Sequence, residues 1–420
     1  MSSSLILNAD AESADNTFDY GFVPAPRNSS DNPIEAEDLI MYKSRECQNG
    51  TFQFYALVNG FRNGHVVAEH VGNALVQRIF FNDDIGNLDT SDSDTARHVD
   101  KVITSAVKDA FIKTDSDYFN AKIDSVLAER LQQQLVANKE MTYDSFEQLS
   151  ETEHKIAGGA VAILAMIINK RLYIANCGNS VAFLTKIGKD PDELHAFQAS
   201  ELHESHEIKE IDRLQRAGVD PMNIDGPSRC FGDYFRKTGF HENPSIKTAL
   251  AEPVCVEPAV AGGLEVDENY CFLLLLSPSL GQAILKIETD RKVSEYIIQL
   301  FVNHIREEGS LKGAAQAVLE SIHQELQVKI EQGHLRPLET SLSLVVVPLN
   351  DDIVELLRES EKSIHAQSHG DNTVDSYVDF SEYFVDTPEM QDKRNDIEAK
   401  IASIKQLYKE NKKLRPISED

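Results

Sequence analysis

Basic residues are scarce in this chain: 41 Lys and Arg stand against 69 Asp and Glu, for a formal net charge of -28. So acidic a surface repels nucleic-acid phosphates and anionic lipid, and proteins are the partners it favours. Cysteine is scarce too. Cys47, Cys177, Cys230, Cys255 and Cys271 are scattered, odd in number and without a CxxC pair, so they read as free thiols in a reducing compartment. The expected location is cytoplasmic or nuclear, and the sequons at Asn28 and Asn49 are then fortuitous. Long apolar runs are lacking: the N-terminal Leu5-Ile6-Leu7 is too short for a signal peptide, and no later stretch reaches the roughly 20 apolar residues of a membrane span. No internal repeat occurs.

What is present suffices for a core, since 41% of 420 residues are hydrophobic. Residues 1–17 are polar and expected to be disordered. A strand is predicted over 51–58, helices over 66–81 and 95–119, and more polar helix over 120–155. Ala160–Ile168 and Arg171–Ala175 read as strands joined across Asn169-Lys170 in a hairpin. A strand over 181–186, a helix over 204–217 stopped by Gly218, a buried strand over 271–276, helices over 293–307 and 311–332, and a strand over 342–348 follow. Strands in hairpins with helices inserted between them argue for packed sheets with helices outside, an α+β architecture, and against a doubly wound parallel sheet. One domain is expected over 18–350. A helix and polar linker follow over 351–375, then a tail over 376–420. Between 386 and 415 lie 8 basic and 6 acidic residues, leaving 33 and 63 elsewhere, so the tail is near neutral on an acidic protein.

Common catalytic signatures fail on spacing. His203-Glu204-Ser205-His206 is HExH rather than HExxH, with no third ligand at hand, and a solvated acidic helix start is the plainer reading. Gly158-Gly159 has no GxGxxG context, and neither a phosphate-binding loop nor a GxSxG elbow is present.

One ordered set of blocks spans most of the domain. It runs Leu57-Val58-Asn59-Gly60-Phe61, Gly158-Gly159-Ala160-Val161, Leu172–Ser180 (LYIANCGNS), Ser228–Asp233 (SRCFGD), Ala251-Glu252-Pro253-Val254, Phe272–Ser277 (FLLLLS) and Ser341–Val347 (SLSLVVV). This series resembles the metal-dependent type 2C (PPM) protein phosphatase family, block by block and in order. The resemblance implies a sandwich of two antiparallel sheets flanked by helices. It also implies a two-metal site for hydrolysing phosphoserine and phosphothreonine, in which carboxylates neutralise two hard dications.

Residue by residue, that chemistry is missing. The bridging Asp of the family falls at Asn59, beside Gly60, and its His falls at Phe61, which cannot donate a proton. Its later carboxylates fall at Asn179, Pro278, Gln282 and Thr340. With them goes the charge that would hold two dications and activate a water. The expectation is therefore a pseudophosphatase with no catalytic residue, no metal ligand and no cofactor. Arg27 and either Glu37 or Asp38 loosely match an N-terminal phosphate-binding Arg and metal ligand, with no role assigned.

Tyr377-Val378-Asp379-Phe380-Ser381-Glu382-Tyr383-Phe384 resembles the docking segment of the family's adaptor branch, whose members bind the MAP kinase kinase kinase known as TGF-beta-activated kinase. Read as a helix, Tyr377, Phe380, Tyr383 and Phe384 make one aromatic face. Farther on, Met390, Ile397, Ile401, Ile404 and Tyr408 mark a second helix at rough 3–4 spacing. The implied function is an adaptor that binds and activates such a kinase through its tail, with the phosphatase-like domain as scaffold. Two other readings compete: an atypical active phosphatase with substitute ligands such as Glu339 or Asp267, and a purely structural or ligand-binding pseudoenzyme.

Overall fold

The computed structural model describes residues 18–24 and 38–359, apart from positions 49, 89–92, 139–141, 189–193, 289–290, 336–339 and 351. The chain divides into two units, 1–375 and 376–420, and the second lies outside the described residues. So do residues 1–17, Arg27, Glu37, Glu339, the linker after Glu359 and the tail, Tyr377 to Phe384 included.

The strands are β1 (Asp19–Val23), β2 (Asp38–Cys47), β3 (Gly50–Phe61), β4 (Gly159–Ile168), β5 (Arg171–Cys177), β6 (Val181–Ile187), β7 (Leu194–Gln198), β8 (Phe231–Gly232), β9 (Ala259–Glu265), β10 (Tyr270–Leu276) and β11 (Leu342–Pro348). The helices are α1 (His65–Leu75), the single turn α2 (Asp83–Gly86), α3 (Ser93–Tyr118), α4 (Asp124–Ala137), α5 (Tyr143–Ala157), α6 (Ile208–Arg216), α7 (Pro278–Ile287), α8 (Val293–Glu308), α9 (Ala314–Glu331) and α10 (Ile353–Glu359). One sheet has the order β1-β11-β10-β6-β7. The other has β2-β3-β4-β5-β9, with β8 added beside β4, and every pairing in both is antiparallel.

Period-two alternation sorts the apolar residues into three layers. On β3, Phe52, Phe54, Ala56 and Val58 face the α1 and α3 side, while Tyr55 and Leu57 face the other sheet. On β10, Phe272, Leu274 and Leu276 face α7, α8 and α9, while Leu273 and Leu275 point between the sheets. Strands buried on both faces read as unbroken hydrophobic runs, which is why Phe272–Leu276 shows no alternation in sequence. Each fully buried side chain of this size contributes about 1.5–3 kcal/mol.

The expected hairpin is present: Asn169 and Lys170 both have positive φ, 50° and 66°, as a two-residue turn of right-handed twist requires. Some expectations need correction. The helix expected over 204–217 begins only at Ile208, because His203 is drawn into the core and Glu204 pairs with Pro227 in an isolated bridge. The helix expected from 311 begins at Ala314, after Gly313 in a left-handed conformation. Residues 120–155 form two helices rather than one, with Thr142 capping the second. Five strands beyond those expected are present, β1, β2, β7, β8 and β9, as is α7.

Candidate functional site: a carboxylate clasp between the sheets

The sheets come together where β2 and β3 meet β10 and β11. Asp38, the first residue of β2, lies opposite Asn59 of β3 in the antiparallel register. Ser343 of β11 donates its hydroxyl to Asp38 Oδ2 at 2.5 Å. Ser341 and the Asn59 amide also face this carboxyl. Burial raises the Asp38 pKa, and these three neighbours partly offset the rise by favouring the charged form. Asn59 Nδ2 is buried without a well-formed hydrogen bond, whereas its Oδ1 accepts from Ser180 at 3.4 Å.

The end of β10 completes the cluster. Ser277 Oγ caps α7 by accepting from Leu280 N at 3.3 Å, and it also accepts from Ser343 N at 3.0 Å. Ser279 donates to the Ser341 carbonyl. Pro278 stands between these serines at the first turn of α7, where its missing N–H costs nothing. Thr340 is exposed beside Ser341, and Gln282 is exposed one turn along α7. Asn59 therefore faces Asp38, while Pro278 and Thr340 are chain neighbours of the serines that join β11 to α7.

Two positions do not join them. Asn179 points elsewhere and donates to Glu204 Oε1 at 3.2 Å. Phe61 packs against Val161, Cys230 and Val254 and lies under the Arg236 guanidinium, 5.7 Å from its ring centroid. Gly60 pairs with Ala160 across the β3–β4 ladder. Asp267, a candidate substitute ligand, caps the turn before β10 through Asn269 N, at the opposite end of that strand from Ser277.

This donor set does not fit two adjacent dications. Among the described residues its one carboxylate, Asp38, already accepts the Ser343 hydroxyl, and the groups that face it are amides and hydroxyls without charge.

A second buried network underlies the Ser228–Asp233 segment. Glu210 of α6 accepts from Arg229 Nη2 at 2.5 Å, from Arg213 Nε at 2.9 Å and from Ser228 Oγ at 2.8 Å. Burial alone would raise its pKa, but the two guanidinium groups outweigh burial and hold it at about 2. His203 Nδ1 accepts from Gly178 N at 3.1 Å, and burial together with the Arg229 charge lowers its pKa to about 3. His206 is exposed, so the two rings of the HExH segment lie apart. Asn176 donates to the carbonyls of Gly178, Ser180 and Glu201 and shapes the turn that carries Ser180. Gly178 is required there: at φ 122° a Cβ would lie 2.3 Å from Val161.

Asp38, Ser180, Ser277 and Ser343 were not singled out as a site by sequence reasoning. The signals were the loose match of Glu37 or Asp38 to the family's N-terminal metal ligand and the place of Ser180, Ser277 and Ser343 inside the ordered blocks.

Comparison with known proteins agrees with this architecture. The chain is 28% identical over 290 residues to "TGF-beta-activated kinase 1 and MAP3K7-binding protein 1" of Caenorhabditis elegans, covering 69% of this chain and 68% of that protein. It is 31% identical over 132 residues to "Probable protein phosphatase 1N" of Mus musculus, covering 30% of each chain. It is 33% identical over 108 residues to "Probable protein phosphatase 2C 6" of Paramecium tetraurelia, covering 24% of this chain and 35% of that one. The Protein phosphatase 2C family matches residues 58–319, more than half of the sequence, and the chain belongs to that family.

Proposed function

We propose that the protein is a catalytically inert adaptor that binds and stimulates a MAP kinase kinase kinase of the TGF-beta-activated type. Tyr377, Val378, Asp379, Phe380, Glu382, Tyr383 and Phe384 form the docking segment, and the phosphatase-like domain is the scaffold. The observation that carries the inert half is Asp38, one carboxylate among Asn59, Ser341 and Ser343 where the family's chemistry needs several. The kinase half is supported by the aromatic spacing of the tail and by the relative whose name records kinase binding.

The test uses the full chain and the catalytic domain of TGF-beta-activated kinase. Phe380 is central on the aromatic face, and truncating such an anchor costs about 2–4 kcal/mol, roughly 30- to 1000-fold in affinity. Phe380→Ala should abolish co-precipitation and kinase autophosphorylation, Ser381→Ala should preserve both, and neither should move the melting temperature. Intact binding by Phe380→Ala overturns the assignment of the segment.

A further inference from the structure

Apolar exposure is concentrated at one place in the fold. Leu131, Leu135 and Val136 of α4 and Tyr143 and Phe146 of α5 are each more than half exposed. The two helices run antiparallel: Arg130 bonds Glu153, and Thr152 bonds Gln133. Their seam therefore holds Arg130, Gln133 and Ala137 on one side and Ser145, Thr152 and Ile156 on the other. Leu131 and Phe146 each lie one residue, about 100°, past a seam position. In an antiparallel pair those rotations turn to the same side. Leu135 stands one turn beyond Leu131, so Leu131, Leu135 and Phe146 lie toward one side of the hairpin, while Val136, one residue before the seam residue Ala137, turns to the other. Single exposed apolar residues are ordinary, but five on one hairpin mark an interaction surface.

Charge selects the occupant. Asp124 and Glu147 are exposed on the hairpin, and neither has an ion pair among the described residues. Among its described residues, Lys155 is engaged by Glu151, and Arg130 is held by Glu153 and Glu242. An apolar face with an acidic rim repels anionic lipid, and it repels a second copy of a chain carrying -28. We infer that the α4–α5 hairpin docks a basic amphipathic helix of a partner protein, which lays apolar residues over Leu131, Leu135 and Phe146 and sets Lys or Arg against the acidic rim. These residues are other than those of the proposed docking segment, 377–384.

The experiment uses the full chain and a dye-labelled peptide of Leu and Lys, on the order of 20 residues so that it forms a stable helix. A second peptide has the same composition, scrambled to remove the face. Fluorescence anisotropy should show saturable binding of the first peptide only, weakened by added salt. Leu135→Ser/Phe146→Ser should weaken it roughly tenfold or more, with an unchanged melting temperature because both side chains are exposed. Phe380→Ala should bind like the wild type, which separates this surface from the kinase reading. Three results would each overturn the inference: equal binding of the scrambled peptide, undiminished binding by the double variant, or a wild-type dimer in sedimentation that the double variant dissociates. Binding to anionic vesicles that the double variant abolishes would overturn it as well.

Discussion

Ser343 and Asp38 lie 305 residues apart in sequence, yet the Ser343 hydroxyl meets the Asp38 carboxylate at 2.5 Å and ties the two sheets together. The same contact brings the start of β2 against β11, with Asn59 and Ser341 beside the carboxyl. The predictions that follow treat that clasp, and the buried Glu210 network beside it, as structural.

Asp38→Ala should lower stability by about 1–3 kcal/mol, because it strands the buried Ser343 hydroxyl without its acceptor. Urea unfolding of wild type and variant under identical conditions measures the difference. A loss below the error of the method would mean the clasp carries no stability.

The Asp38 carboxyl has a folded-state pKa raised above 3.8 by burial. Its contribution to stability is fully present below the unfolded value and is lost as pH rises through the folded one. Asp38→Asn removes this titration, so the variant should gain on the wild type as pH rises out of the acid range. Unfolding free energies of both proteins from pH 3 upward read this directly. A constant gap across that window would show that the group does not titrate as described.

Restoring one ligand should not restore chemistry. Asn59→Asp sets a second carboxylate beside Asp38 with no opposing charge among the described residues, so it should destabilise the domain and yield no Mn²⁺-dependent turnover of a phosphothreonine peptide. Groups that act as a unit give little when supplied singly. Chelator-sensitive turnover by this variant, or by the wild type, would sink the inert reading.

Glu210→Ala should cost about 3–5 kcal/mol, since it leaves Arg229 and Arg213 facing a buried site without their carboxylate. With its pKa depressed from 4.5 to about 2, Glu210 contributes stability that is present above pH 4.5 and fades as pH falls toward 2. Urea titrations of wild type and variant should therefore converge as the pH is lowered through that window. A gap that stays constant to pH 2 would contradict the pairing.

Much of the sandwich was legible from local pattern. The β4–β5 hairpin announced itself through Asn169-Lys170, β10 through its unbroken apolar run and β11 through Leu344–Val347. Strand β9 (AVAGGLE) hid behind its glycines. Helix α7 (PSLGQAILKI) hid behind a proline and a glycine, and β2 (DLIMYKSREC) behind its mixed polarity. In each case tertiary packing overrode a weak local propensity.

By itself the sequence determined which groups cannot do chemistry: an amide at Asn59, a phenyl ring at Phe61, a pyrrolidine at Pro278. Residue identity alone settles what a side chain can ionise, donate or ligate. Only the tertiary structure decided what replaces that chemistry. It joins Asp38 to Ser343, sends Asn179 to Glu204, and sinks His203 under Gly178. Contacts between residues tens or hundreds of positions apart leave no periodic trace in the chain, because they arise from where two sheets pack and not from the local geometry of either.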